Sequence, residues 1–388
     1  MRRDRPAAER ALARLVTGLE MLGALILAAL FLVVMAAVLR RYLLGSGFLG
    51  ADELAIWLHV ALVAVGAPLA ATSALAMRLD VFVRLLPAAG QRIARILADA
   101  VTVQGALVLC LGGAKVALLV GGTSTVLALP EWLRFAAFAI GGGLTVLLVA
   151  GRSALERGVA AALGSLCLGL AFYGLAQLAP VFVAETPSLV AAGVAALALV
   201  LGAPIPHALL AGMSLSLAFG STLPEPAIVQ NAVAGVSKFL LLAIPFFLLA
   251  GELLTAGGLA ERLVRFAAAL VGHWRAGLAQ TALLASVLFS GASGSSVANA
   301  AFGAKVMAPT LIARGYPPAK AGAIVAGVSM LDNIIPPSIA FLILASATNL
   351  SVGALLVGGF VAGGVLARAR AGGIHLTMRG APDAAPRA

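Results

Sequence analysis

Charge is what this sequence has least of. Asp, Glu, Lys and Arg make up 11% of its 388 residues, where a soluble domain carries about 25%. Acids are scarcer than bases, 15 against 26, for a formal net charge of +11. Cys110 and Cys167 are the two cysteines and both sit in apolar runs, which excludes a disulfide framework and a zinc-type ligand set. The four histidines, His59, His207, His273 and His375, are widely separated and read as interfacial residues rather than ligands. There is no Gly-x-x-x-x-Gly-Lys-Ser/Thr loop to cradle a nucleotide. Gly291-Ala-Ser-Gly-Ser295 lacks the last glycine of a nucleophile elbow, and no histidine is near it in sequence, so an enzyme is not expected.

What remains is 62% hydrophobic residues with 44 glycines and a mean hydropathy of +1.09. No soluble core absorbs that excess over the usual 45–50% or so, and small residues let helices approach closely in lipid. The expected class is an all-α polytopic membrane protein. The basic residues fall in short clusters between apolar runs, as the positive-inside rule predicts, rather than in the stripe a nucleic-acid protein carries. The expected medium is therefore a lipid bilayer, with no nucleic acid.

Runs long enough to cross, at about 20 residues each, follow one another along the chain. They are expected at 17–39, 54–77, 96–120 and 133–150. The run after Met1-Arg-Arg-Asp-Arg is longer than a signal-peptide core of about 7–15 residues and reads as a retained first helix. Residues 78–87 are too short to span and read as an interfacial helix holding Arg78 and Arg84 in the headgroups. The basic amino terminus, 78–95 and 152–157 are expected on the cytoplasmic side, with Arg40-Arg41 the exception. Residues 1–158 thus form a four-helix module, and 159–181 is a linking transmembrane helix. Further spans are expected at 188–203, 207–223 and 239–257, after which Arg262, Arg265 and Arg275 return the chain inside.

The pattern then changes. Residues 277–290 and 296–312 are each too short to span, and Leu288-Phe-Ser-Gly-Ala-Ser-Gly-Ser-Ser-Val-Ala-Asn299 joins them. Positive charge at both outer ends makes 277–312 a re-entrant hairpin with its tip near the midplane. A further span, 319–349, is broken at Ile334-Ile-Pro-Pro337, where proline removes a helical donor and clashes with the preceding turn. A last span is expected at 351–367, and residues 371–388 read as a disordered tail. In all, about nine full spans and one hairpin are expected.

Paired interruptions inside hydrocarbon mark a binding site, because freed backbone groups must be re-satisfied or line a cavity. The half-helix ending near Ser290 offers carbonyls and hydroxyls to a hard cation, and the one beginning near Ser295 offers N–H groups to a carboxylate. Candidate residues are Ser290, Gly291, Ser293, Gly294, Ser295, Ser296 and Asn299 at the tip. Asp332, Asn333, Ile335, Pro336, Pro337 and Ser338 join them from the break. A Na⁺ ion is expected at Ser290, Ser293, Asn299 and Asn333. Against this stands the plainer reading, that Ser and Gly serve only helix packing and that Asp332 caps a half-helix or faces water. Glu252 reads as a snorkelling residue, and Lys115 and Lys305 as snorkelling or paired.

Four motifs together resemble the large membrane subunit of tripartite ATP-independent periplasmic (TRAP) transporters. They are Ile244-Pro-Phe-Phe-Leu-Leu-Ala-Gly-Glu252, Ser293-Gly-Ser-Ser-Val-Ala-Asn299, Arg314-Gly-Tyr316 and Ile334-Ile-Pro-Pro-Ser338. The likeness covers roughly 185–368, and 182–370 is read as the amino-terminal half of that subunit. Arg41-Tyr42, Asp52-Glu53-Leu54 and Arg78-Leu-Asp80 are similar to the family's small subunit, over 15–158. The resemblance implies a fused inner-membrane permease with the first half of an inverted-repeat, ion-transporter-like fold. It further implies Na⁺-coupled uptake of carboxylates such as C4-dicarboxylates, delivered by a periplasmic binding protein, with no cofactor. The family commonly has Asp where Asn299 stands and a small residue where Asp332 stands, and its large subunit has a second repeat that this sequence lacks. The alternative expectation is an inactive truncated remnant or a membrane scaffold that only docks partner subunits.

Overall fold

The computed structural model describes residues 5–73, 78–178, 182, 184–274, 276–348 and 350–377. The end of the second expected span (74–77), Arg275, parts of the 179–183 connection and the tail 378–388 lie outside the described residues. The protein is all-α and polytopic. Among the described residues no strand forms, and an isolated bridge joins Thr123 to Pro130. Seven described helices are long and apolar enough to cross a membrane. The chain packs as two compact units, Met1–Ser237 and Lys238–Ala388.

The first unit begins with α1 (Arg5–Leu43), α2 (Ala51–Thr72), the short α3 (Asp80–Arg84) and α4 (Ala88–Leu107). A π-turn at Val108–Gly112 carries α4 into α5 (Gly113–Leu119), so the third span runs continuously. It continues with α6 (Trp132–Arg157), α7 (Val159–Gln177), α8 (Pro187–Val200), α9 (Ile205–Leu215) and α10 (Glu225–Val236). Proline opens α8, α9 and α10 in the first turn, where its missing N–H costs nothing. Helices α8 and α9, of 14 and 11 residues, rise only about 21 and 17 Å at 1.5 Å per residue. The full spans expected at 188–203 and 207–223 are therefore a short helical pair, closed by a 3₁₀ turn at Ser216–Phe219.

Contacts reach from the first four spans to the helices that follow α7. Helix α9 seats against α4, where the Gln104 amide donates to the Ala211 carbonyl. A Cβ on Gly105 would lie 2.9 Å from the His207 carbonyl, so glycine permits the approach. His59 and His207 are buried rather than interfacial. Lys115, on α5, pairs with Glu225 at 2.6 Å, and Tyr173 on α7 donates to the same carboxylate at 2.7 Å. Helices α8–α10 thus lie in the same compact unit as α1–α7, and the two units divide after Ser237.

The second unit holds α11 (Ala243–Ala256), α12 (Leu259–Val271), α13 (Gly277–Ser293), α14 (Ser296–Phe302), α15 (Ala308–Ala313), α16 (Pro318–Ser329), α17 (Ile339–Ala347) and α18 (Val352–Thr377). Helices α13 and α14–α15 are the two arms of the expected hairpin, and Phe289 stacks on Phe302 across it at 4.8 Å. Leu283, Met307, Leu311, Ile324, Val328 and Leu331 bury the hairpin against α16. Helix α18 continues beyond its expected end at 367 as far as Thr377. Gln280 donates to the Ala371 carbonyl at 2.9 Å and Ile374 joins the core, so residues 371–377 are docked helix, not tail.

Candidate functional site: the hairpin tip and the broken helix

The first arm ends later than its composition suggests. Helix α13 runs through Ser290 to Ser293 and stops at Gly294, whose left-handed φ of 60° closes the end. Its N–H donates back to the Ser290 carbonyl at 3.1 Å, an αL-type helix cap. Ser295 then caps α14, accepting from the Ala298 N–H at 3.4 Å. A one-residue glycine turn between a helix end and a serine cap is why this segment turns so tightly.

The second break uses the same device. After the 3₁₀ turn Met330–Asn333, Ser338 caps α17 by accepting from Phe341 N–H at 3.4 Å. Its hydroxyl donates to the Asn333 carbonyl at 2.7 Å, bridging the gap in which Pro336 and Pro337 supply no donors. The two breaks touch: the Ile339 N–H donates to the Gly294 carbonyl at 3.3 Å. A Cβ on Gly294 would lie 2.7 Å from the Pro337 carbonyl. The backbone groups freed in one helix are thus partly satisfied by the other.

Polar side chains gather behind this junction. Ser290, Ser293, Asn299, Asp332 and Ser338 are all buried. Ser293 donates to the Asp332 carboxylate at 3.3 Å, with Asn299 and Ser290 flanking the same group. The Asn299 amide N–H₂ donates to the Ser286 carbonyl at 3.2 Å, which turns its oxygen the other way. Among the described residues, Asn299 Oδ1 and Asp332 Oδ1 are buried without a close, well-aligned donor, and the carboxyl of Asp332 has the side chains of Asn299, Ser293 and Ser290 around it. Two poorly satisfied oxygens in one buried cluster are unusual, since such groups are costly to leave unmade.

The remaining candidates divide. Gly291, Ile335, Pro336 and Pro337 line an apolar cavity of about 650 Å³ against Phe360 and Gly363 of α18. Ser295 and Ser296 are half-buried, at the start of α14. The Asn333 side chain is exposed and contributes to the junction through its carbonyl alone. Glycines invisible as site residues in the sequence bring the neighbours in. Gly251 of α11 meets Ser293, where a Cβ would stand 3.1 Å from the serine Cβ. Gly363 meets Ile335, whose Cγ1 would stand 2.5 Å from an added Cβ. Ser286, the acceptor for Asn299, carries no sequence signal either.

A helical hairpin whose capped tip is bonded to a broken helix, inside a polytopic all-α protein, defines the class of membrane transport proteins built on discontinuous helices. Comparison with known families agrees. Residues 30–158 match the "Tripartite ATP-independent periplasmic transporters, DctQ component" and residues 192–379 the "Tripartite ATP-independent periplasmic transporter, DctM component". The chain belongs to the TRAP transporter family, with regions matching both membrane components in one polypeptide. It is 47% identical over 125 residues to the C4-dicarboxylate TRAP transporter large permease protein DctM of Pseudomonas aeruginosa, covering 32% of this chain and 29% of that protein. To the DctM protein of Rhodobacter capsulatus it is 34% identical over 183 residues, 41% and 42% of the two chains. To the 2,3-diketo-L-gulonate TRAP transporter large permease protein YiaN of Escherichia coli it is 37% identical over 163 residues, 42% and 38%. The matches thus span less than half the length of these relatives.

Proposed function

We propose that this chain is the inner-membrane permease component of a Na⁺-coupled TRAP transporter for small carboxylates, supplied by a periplasmic binding protein. The observation that carries the reading is the buried cluster of oxygens at the junction of the two breaks, Asn299 Oδ1, the Asp332 carboxylate and the Ser293 and Ser290 hydroxyls, with no cationic side chain among them. A buried carboxylate without a cation is expensive, and an all-oxygen donor set suits a hard cation rather than a soft one. Na⁺ as co-substrate would offset the charge and give these oxygens a further partner. The chemical names of the relatives, a C4-dicarboxylate and a gulonate, are both carboxylates. Such an anion would find N–H groups at the start of α14, at the tip of the hairpin. Because the cluster joins hairpin to broken helix, ion occupancy would set how firmly the tip is held.

Thermal unfolding of the purified chain in detergent, in NaCl against KCl at equal ionic strength, tests the ion site. Na⁺ should raise the melting temperature by mass action, and Ser293→Ala, Asn299→Ala and Asp332→Asn should each remove that increment. Equal melting in both salts would fit a scaffold that docks partners and would sink the ion site. Uptake in proteoliposomes then tests transport: it should need Na⁺ and a cognate binding protein, and uptake with no binding protein would refute the TRAP mechanism.

A further inference from the structure

The first unit holds a cavity of about 630 Å³ where α2 and α6 end, α4 begins and α3 crosses, within the range of roughly 300–1,000 Å³ typical of ligand pockets. Arg78, Arg84, Arg95, Arg152 and Arg157 line it, against Asp80, Asp99 and Glu156, a surplus of two positive charges. Arg157 is committed to Asp99 and Arg152 to Glu156. Among the described residues, Arg78 donates to the Ala71 carbonyl, Arg84 has a long, exposed contact to Asp80 at 3.8 Å, and Arg95 is exposed on the first turns of α4. These are the clusters that the positive-inside rule assigns to the cytoplasmic membrane surface.

A second, narrower cavity of about 240 Å³ adjoins the first, sharing Thr72, Ser73 and Arg152 with it. Its other walls are Leu12, Val16, Leu69 and Leu148, with the exposed Glu20 beside them, between α1, α2 and α6. A basic pocket therefore opens into a groove walled mainly by leucine and valine, with one acid, Glu20, on α1. A free anion needs the pocket alone, whereas a phospholipid uses both. Basic pockets between membrane helices are a recognised way of holding anionic headgroups.

We propose that this composite site binds an anionic phospholipid, with its headgroup phosphate among Arg78, Arg84 and Arg95 and one acyl chain in the groove beside Val16. The bound lipid would tie α1 and α3 to the α2–α4–α6 core. The inference is independent of the ion site in the second unit.

Native mass spectrometry of the full chain, titrated with dioleoyl phosphatidylglycerol or dioleoyl phosphatidylcholine, tests it. Phosphatidylglycerol adducts should persist over phosphatidylcholine adducts, and the double variant R84Q/R95Q should lower their retention roughly thirtyfold, the scale of two basic residues at an anionic surface. Val16→Trp, which fills the groove from a half-buried position, should also abolish retention; Leu12→Trp serves on the same wall if that variant does not fold. Equal retention of the two lipids, or indifference to R84Q/R95Q, overturns the proposal. Displacement of the lipid by millimolar inorganic phosphate, with Val16→Trp without effect, also overturns it and assigns the pocket to a soluble phosphate.

Discussion

Ser293 donates its hydroxyl to the Asp332 carboxylate at 3.3 Å, across 39 residues of chain, and this bond fastens the tip of the hairpin to the turn that precedes the Pro-Pro break. Both residues are buried, so neither end can exchange its partner for bulk water. Ser293→Ala should cost about 1–3 kcal/mol, the range for stranding a buried polar group. A double-mutant cycle with Asp332→Asn, followed by thermal melting in detergent, should return a coupling of roughly 0.5–3 kcal/mol. A coupling near zero would mean the bond does not hold the two breaks together.

Two glycines of one motif should respond with opposite sign. Gly294 adopts φ of 60° and faces the Pro337 carbonyl at 2.7 Å from a would-be Cβ, so Gly294→Ala adds left-handed strain of about 1–2 kcal/mol and a backbone clash. Gly291 lies inside α13 with nothing within 4 Å. Gly291→Ala should stabilise the helix by about 0.5–1 kcal/mol. Melting temperatures of the two variants decide the matter, and a Gly294→Ala protein as stable as the parent would contradict the described turn.

On α18 the contrast is between neighbours. A Cβ on Gly363 would stand 2.5 Å from Ile335 Cγ1, whereas Gly364 has open space around it. Gly363→Ala should destabilise by about 1–3 kcal/mol through overpacking and weaken any Na⁺-dependent stabilisation, because it pushes on the break itself. Gly364→Ala, like Gly291→Ala, should stabilise its helix by about 0.5–1 kcal/mol. Melting curves in NaCl and KCl separate the two.

The Lys115–Glu225 pair should be asymmetric. Glu225 is 5% exposed and Lys115 49%. Lys115→Ala leaves a buried carboxylate held by Tyr173 alone, at a cost of about 1–3 kcal/mol. Glu225→Gln frees a lysine that reaches water, so it should cost less, nearer the value of about 0–1 kcal/mol seen for exposed pairs. The reverse order in chemical or thermal unfolding would argue that the amine, not the carboxylate, is the buried partner.

Much of the second unit is legible in residue types. Gly294, Pro336 and Pro337 forbid continuous helix whatever surrounds them, and a serine beside such a break caps the next helix, so both interruptions fall where the chain itself predicts them. Composition puts the end of the first arm near Ser290, yet serine and glycine only weaken a helix, and packing carries α13 three residues further. Asp332 and Asn299 stand out as polar groups in apolar runs. That Asn299 turns its amide to the Ser286 carbonyl, leaving its oxygen without a well-aligned donor, is a matter of contacts between helix arms.

The sequence by itself determined that this is an all-α membrane protein, where its helices must break, and which family's motifs it carries. Those properties rest on hydropathy and on backbone chemistry local to each residue. Only the tertiary structure decided that α8–α10 pack with the first unit, that α18 stays helical to Thr377, that His59 and His207 are buried, and that two arginine-rich connections share one pocket. In a bilayer, lipid-facing and protein-facing sides of a helix are equally apolar, so the pattern that identifies a neighbour in a soluble protein is missing. What chooses the neighbour is the close fit of small residues such as Gly105, Gly251 and Gly363, and that fit exists only between surfaces already brought together.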